Sequence, residues 1–153
     1  MGRYILMLTN QQPESKLIHP LARFVTVEAI ALVLKLNPQD IYRIDCWRYV
    51  IHVVGKGIST FVSYADIPPI VGVEPPTAAD INCWRKRWKK NKFKAPDFWV
   101  GFYAQKFKQA SYLKNLYAWG ELVGIIKFGL SPAAVEWLRS IYIKEKAYTL
   151  QSF

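Results

Sequence analysis

TVEAIALVLKLNPQDIYRIDCWRYVIHVVGKGISTFVSY, residues 26–64, is the stretch on which the fold class turns. Its head carries Thr26 and Glu28, and apolar residues follow at Ile30, Leu34 and Leu36, the first two four apart as on one helical face. Its tail alternates instead. Residues 49–54 and 58–64 are rich in β-branched and aromatic side chains, and Gly55-Lys56-Gly57 between them supplies the backbone freedom of a tight reversal, so a β-hairpin is expected. The middle is open to two readings: a second helix starting at Pro38, or a first strand starting as early as Ile41, because RIDCWRYVIHVV serves as a long strand or as a helix end.

Outward from this stretch, residues 3–8 read as a short strand and 9–14 as a loop, with helical segments up to Leu36. Downstream, DIPPIVGVEPP (residues 66–76) holds four prolines, which forbid a central strand or helix and favour an extended strap. From Thr77 onward only helices are expected. Thr77 is a good N-cap with Asp80 three residues on, and Ser131-Pro132 pairs a cap with proline at the first helical position. The expected class is α+β: a helix-plus-hairpin region over 1–65, a proline-rich connector over 66–76, and a basic, aromatic-rich helical region over 77–153, packing as one compact unit.

Composition narrows the function. A chain of 153 residues that is 52% hydrophobic and 15% aromatic fills a real core, which excludes intrinsic disorder. Cys46 and Cys83 are too few for a disulfide framework, and with only His19 and His52 they offer no zinc spacing, so neither metal nor cofactor is expected. The longest apolar runs fall far short of the roughly 20 residues of a bilayer span, and Glu121 and Lys127 bracket the best of them. With no export signal and two free thiols, a reducing cytoplasm is the expected compartment.

The charge is concentrated. Lys and Arg number 21 against 11 Asp and Glu, a net of +10, and residues 76–96 alone hold seven basic groups and one acid, +6 of that total. On a helix after Thr77, Ile81, Trp84 and Trp88 share a face, while Arg85, Lys86, Arg87, Lys89 and Lys90 cover the rest and Lys92 and Lys94 extend the stripe. Cations at a helix C-terminus suit its dipole, and a charge run is often only a solvated face. Seven cations without an interspersed acid repel one another, however, and that cost points to an anionic partner, with phosphate as the leading case. Anionic lipid is the weaker alternative, because the apolar face is three residues wide.

Residues 26–44 resemble the helix-turn-helix family, and with the following hairpin the winged-helix proteins. Ala31 stands at the small helix-contact position, Leu34 follows three later, and Ile41 fills the buried slot ten after Ala31; Lys35 departs from the family's usual glycine. The resemblance implies DNA binding, with Pro38 opening a recognition helix, Gln39, Asp40, Tyr42 and Arg43 facing outward, and the hairpin as a wing. Arg48 and Lys56 are then phosphate contacts. Read from the residues alone, the same stretch is an amphipathic helix packed on a hairpin.

The C-terminal third carries aromatic and apolar residues at helical spacing: Phe98, Trp99, Phe102, Tyr103, Phe107, Ala110, Leu113, Leu116 and Tyr117, then Trp119, Leu122, Ile125 and Ile126, then Val135, Leu138, Ile141 and Tyr142. These read as core and as a surface for a homodimer or complex partner. No nucleotide loop is present, since GKGIST has the wrong order and spacing, and the carboxylates are scattered. The expected function is therefore non-catalytic nucleic-acid binding, DNA ahead of RNA. The alternative is an accessory subunit of a larger complex. A third reading is a metal-independent nuclease built on His52 or His19 with a Tyr and a Lys.

Overall fold

In the computed structural model, residues 19–151 are described; the strand expected at 3–8 and the loop at 9–14 lie outside them. The protein is mixed α and β, with helices first, an antiparallel sheet next and a helical C-terminal half. It forms two compact units that divide between Pro68 and Pro69.

The first unit opens on a 3-10 turn, Pro20–Phe24, capped by His19, whose Nδ1 accepts from the Leu21 N–H at 3.0 Å. The His19 ring stacks on Tyr64 with centroids 4.1 Å apart. Helix α1, Val27–Leu34, starts where Thr26 Oγ1 accepts from the Ala29 N–H, and it buries Ala29, Ile30 and Ala31. It stops at Lys35, which adopts φ 58° and ψ 46°, while the Leu36 N–H returns to the Ala31 carbonyl at 2.9 Å. Lys35 thus takes the left-handed C-cap backbone that glycine usually supplies, although it bears a side chain.

After Lys35 the chain makes one 3-10 turn, Pro38–Asp40, and enters strand β1, Ile41–Cys46. No recognition helix starts at Pro38. The β-branched and aromatic run wins because a strand lets Ile41, Ile44 and Cys46 bury against the rest of the sheet while Tyr42 and Arg43 stay outside. Strands β2, Ile51–Gly55, and β3, Ile58–Val62, complete an antiparallel sheet in the order β1-β2-β3. The register pairs Ile44 with Val53, Cys46 with Ile51 and Gly55 with Ile58, with an irregularity between Ile41 and Arg43. The expected hairpin is present, closed by Lys56 and by Gly57 at φ +71°, a conformation that glycine adopts without cost. One face buries Ile44, Ile51, Val53 and Val62 with Leu21, Phe24 and Ile30, each burial contributing about 1.5–3 kcal/mol.

The second unit is helical: α2, Ala78–Trp88; α3, Asp97–Gln109; α4, Leu113–Ile126; and α5, Pro132–Gln151. The caps read from sequence are in place. Thr77 Oγ1 accepts from the Asp80 N–H while Asp80 Oδ2 accepts from the Thr77 N–H, and Ser131 Oγ accepts from the Ala134 N–H at 3.1 Å. Helix α3 is the centre, contacting α4 and α5, and it buries Trp99, Phe102, Tyr103 and Phe107. The aromatic run from Phe98 to Tyr117 is two helices, because the chain turns extended at Ala110 and Tyr112 and so brings Leu116 and Leu122 back onto α3. Of the proline-rich strap, Ile67 is fully buried in the first unit, and the Pro69 carbonyl, in the second, accepts from the Tyr103 hydroxyl at 2.8 Å.

Candidate nucleic-acid interface

Helix α2 is divided between two tasks. Trp84 and Trp88 lie stacked with centroids 6.3 Å apart, and Trp99 of α3 meets them edge-on at 5.5 and 5.1 Å. This indole cluster, with Trp84 and Trp99 fully buried, fixes the helix to its unit. Around the rest of the helix Arg85, Lys86 and Arg87 are exposed, with Lys86 opposite the indoles and the two arginines flanking them, followed by Lys89, Lys90 and Lys92, all exposed, and the half-buried Lys94. All seven cations read from sequence thus lie outside the indole cluster.

Beyond α2 the chain makes a 3-10 turn, Lys89–Asn91, and then places Lys92 and Phe93 at φ 58° and 64°. Two successive non-glycine residues in the left-handed region cost about 1–2 kcal/mol each. Backbone hydrogen bonds offset that strain: the Phe93 N–H donates to the Trp88 carbonyl at 3.1 Å, Lys94 to Asn91 at 3.1 Å and Ala95 to Gly129 at 2.6 Å. The result turns Phe93 outward, 49% exposed, with the Arg85 guanidinium 5.8 Å from its ring centroid.

Beneath Phe93 is a pocket of about 350 Å³ between the end of α2 and the turn that follows α4. Trp88 and Ile126 line it, Phe93 and the 83% exposed Phe128 stand at its edge, and Arg85, Lys92 and Lys94 supply charge with no carboxylate among the lining residues. Gly129 is a close approach: a Cβ there would lie 2.5 Å from Trp88 Cζ3. Trp88 is 4% exposed, and its Nε1–H is buried without an acceptor. Sequence reasoning found the cations and missed Phe93 and Phe128, although each directly follows a lysine in KNKFKAP and KFG.

The first-unit residues are not one surface. Gln39 lies in the 3-10 turn before β1, Tyr42 and Arg43 are exposed on β1, and Lys56 sits in the β2–β3 turn, its N–H donating to the Asp40 carbonyl at 2.8 Å. These four share one end of the sheet. Arg48 belongs to the opposite end, in the turn closed by the Trp47 N–H on the Val50 carbonyl, with its guanidinium 5.5 Å from the Tyr49 ring. The length of β2, about 17 Å, separates it from Lys56.

The sheet also assembles a polar row that the sequence did not suggest. Arg43 Nε lies 2.8 Å from Asp45 Oδ2, His52 Nδ1 lies 4.0 Å from the same oxygen, and His52 Nε2 is 3.0 Å from Ser59 Oγ. Trp47 and Phe61 flank the imidazole at 5.1 and 5.0 Å. The order acid, imidazole, hydroxyl resembles an activated serine, but the Asp45 oxygen is engaged first by Arg43, and the 4.0 Å gap to His52 is too long for a hydrogen bond. Within the row, Arg43 and Asp45 pair along β1, and the His52–Ser59 hydrogen bond ties β2 to β3. On the inner face, burial pushes the Cys46 thiol up to about 11, with Tyr64 opposing and Asp45 adding to the rise. Burial also raises the Tyr64 hydroxyl, which donates to the Trp47 carbonyl.

Among the described residues, no group of three or more His, Cys, Asp or Glu is placed to hold a metal ion, and no helix is long and apolar enough to cross a membrane. Compared with known proteins, the chain matches no family model, no curated protein and no solved structure.

Proposed function

We propose that the protein binds nucleic acid, DNA ahead of RNA, without acting on it chemically, and that residues 85–94 make the principal contact in a reducing cytoplasm where Cys46 and Cys83 remain thiols. The observation that carries this reading is the division of α2: one face anchored by Trp84 and Trp88, and exposed cations on the rest of the helix and in the turn after it. Cations fixed in this way neutralise phosphates and release counterions without ordering a flexible tail. If four or five of the seven meet phosphates, affinity for a single strand falls about fifty- to a hundredfold between about 50 and 200 mM salt. Fluorescence anisotropy against labelled duplex DNA, single-stranded DNA and structured RNA at both salt concentrations tests it. The variant carrying Arg85→Glu, Arg87→Glu, Lys89→Glu and Lys90→Glu is expected to lose binding with its circular dichroism unchanged. Equal affinity of variant and parent would remove the block from the interface.

A second reading, an accessory subunit or homodimer joined through the C-terminal helices, is favoured by α5. Trp137 and Tyr148, three turns apart on that helix, are both exposed. Sedimentation of the parent and of the Trp137→Ser, Tyr148→Ser variant measures it: a dimer that the substitutions dissociate supports this reading, and a monomeric parent rules out the homodimer.

A further inference from the structure

We propose that the pocket beside Phe93 takes an unpaired nucleobase of a single-stranded nucleic acid, with the base against Phe93 and Phe128 and the neighbouring phosphates on Arg85, Lys92 and Lys94. This rests on the nucleic-acid reading above and adds to it what the cations are arranged around.

The size fits a small planar group. A volume of about 350 Å³ lies at the lower end of the roughly 300–1,000 Å³ typical of small-ligand pockets, far below what a duplex would need. In a duplex the bases are stacked away and cannot enter, so the occupant is an unpaired or extruded base. The lining carries two chemistries side by side. An apolar ligand would need Phe93, Phe128 and Ile126 but not three cations, and a bare phosphate would need the cations but not the rings. A nucleotide uses both, because aromatic faces stack on any base while Lys and Arg hold the backbone.

Two further observations point to the same place. Phe93 and Phe128 are exposed phenyl rings, each with a cation near its face, Arg85 at 5.8 Å and Lys127 at 5.4 Å. The left-handed backbone at Lys92 and Phe93, held by three main-chain hydrogen bonds, fixes one of those rings in position. Strained non-glycine backbone that its surroundings hold in place is a feature of ligand clamps.

The test measures the full chain by anisotropy against a labelled oligothymidine of about 12 nucleotides, an oligomer with the same phosphates but abasic sugars, the matching oligouridine, and vesicles of anionic phospholipid. The parent is expected to bind oligothymidine about tenfold more tightly than the abasic strand, the contribution of one stacked base. The Phe93→Ala, Phe128→Ala variant is expected to lose that difference while its affinity for the abasic strand and its salt dependence stay unchanged. Both rings are exposed, so their loss leaves the indole cluster intact, and near-ultraviolet circular dichroism verifies this. Oligouridine binding as tightly as oligothymidine, and equally sensitive to the two substitutions, assigns the pocket to RNA as well as DNA. Equal binding of the thymidine and abasic strands by the parent overturns the pocket and leaves the basic surface standing. Binding to neither strand overturns both, and vesicle binding that the two substitutions abolish, with no strand bound, assigns the rings to lipid instead.

Discussion

Lys35 holds a backbone that the unfolded chain disfavours and Cys46 holds its proton beyond the pH at which the unfolded chain releases it, and each carries a prediction about stability. Lys35 sits at φ 58° at the end of α1, where a Cβ is unfavourable and glycine is not. Lys35→Gly is expected to stabilise the protein by about 0.5–1 kcal/mol, the relief of strain exceeding the added freedom of the unfolded chain, as read from guanidinium unfolding. A loss of stability would mean that the lysine stem makes a contact worth more than the strain. Cys46, 5% exposed, keeps its proton in the folded state up to about 11, against 9.0 ordinarily. The folded form therefore binds the proton more tightly, and the associated stability is complete below pH 9 and is lost as pH rises toward 11. Two units correspond to about 2–3 kcal/mol. Between pH 8.5 and 11 the parent should lose about that much more stability than Cys46→Ala; parallel pH curves for the two would show that the thiol does not titrate differently in the folded state.

Among the elements, the ones written plainly in the residues are those with a local chemical signature. The Thr77–Asp80 capping box, the Ser131-Pro132 start and the Gly57 turn were all legible, because each is satisfied by groups within four positions. Residues 38–46 were not, because their choice between helix and strand is made by partners far along the chain: Ile44 pairs with Val53 and Cys46 with Ile51, and only that pairing buries them. The break between α3 and α4 was equally hidden, since Ala110, Ser111 and Tyr112 include neither proline nor glycine, and the turn there is set by the return of Leu116 onto α3. The same division applies to the candidate site. Cations adjacent in sequence were visible as a run, whereas Phe128 joins Phe93 through contacts far along the chain, the packing of Trp88 on Gly129 and the Ala95 N–H on the Gly129 carbonyl. The capping box also carries the site, because it fixes where α2 begins and hence which side its cations occupy. Thr77→Ala should cost about 1 kcal/mol in thermal or denaturant unfolding. An unchanged midpoint would mean that the indole cluster alone sets the start of the helix.

For the whole molecule, a formal charge of +10 is a liability unless something anionic is bound, and more than half of it falls within residues 76–96. The macrodipole of α2 favours cations in its last turn and offsets part of the repulsion, but Lys89 to Lys94 lie beyond the helix end and add to it. Screening should therefore stabilise the protein in the absence of any ligand. Neighbouring like charges cost roughly 0.2–0.5 kcal/mol per pair, so raising sodium chloride from about 20 to 500 mM should lift the melting temperature by a few degrees. Replacing Arg85, Arg87, Lys89 and Lys90 with glutamine takes the formal charge from +10 to +6 and should remove most of that dependence. The dipole would have the opposite sign: if these cations served the helix, salt would weaken them and the glutamine variant would be less stable than the parent at low salt. A parent whose melting temperature rises with salt, beside a variant that is flat and no less stable at about 20 mM, means that the fold tolerates this surface and does not depend on it, as expected of residues held for a phosphate partner.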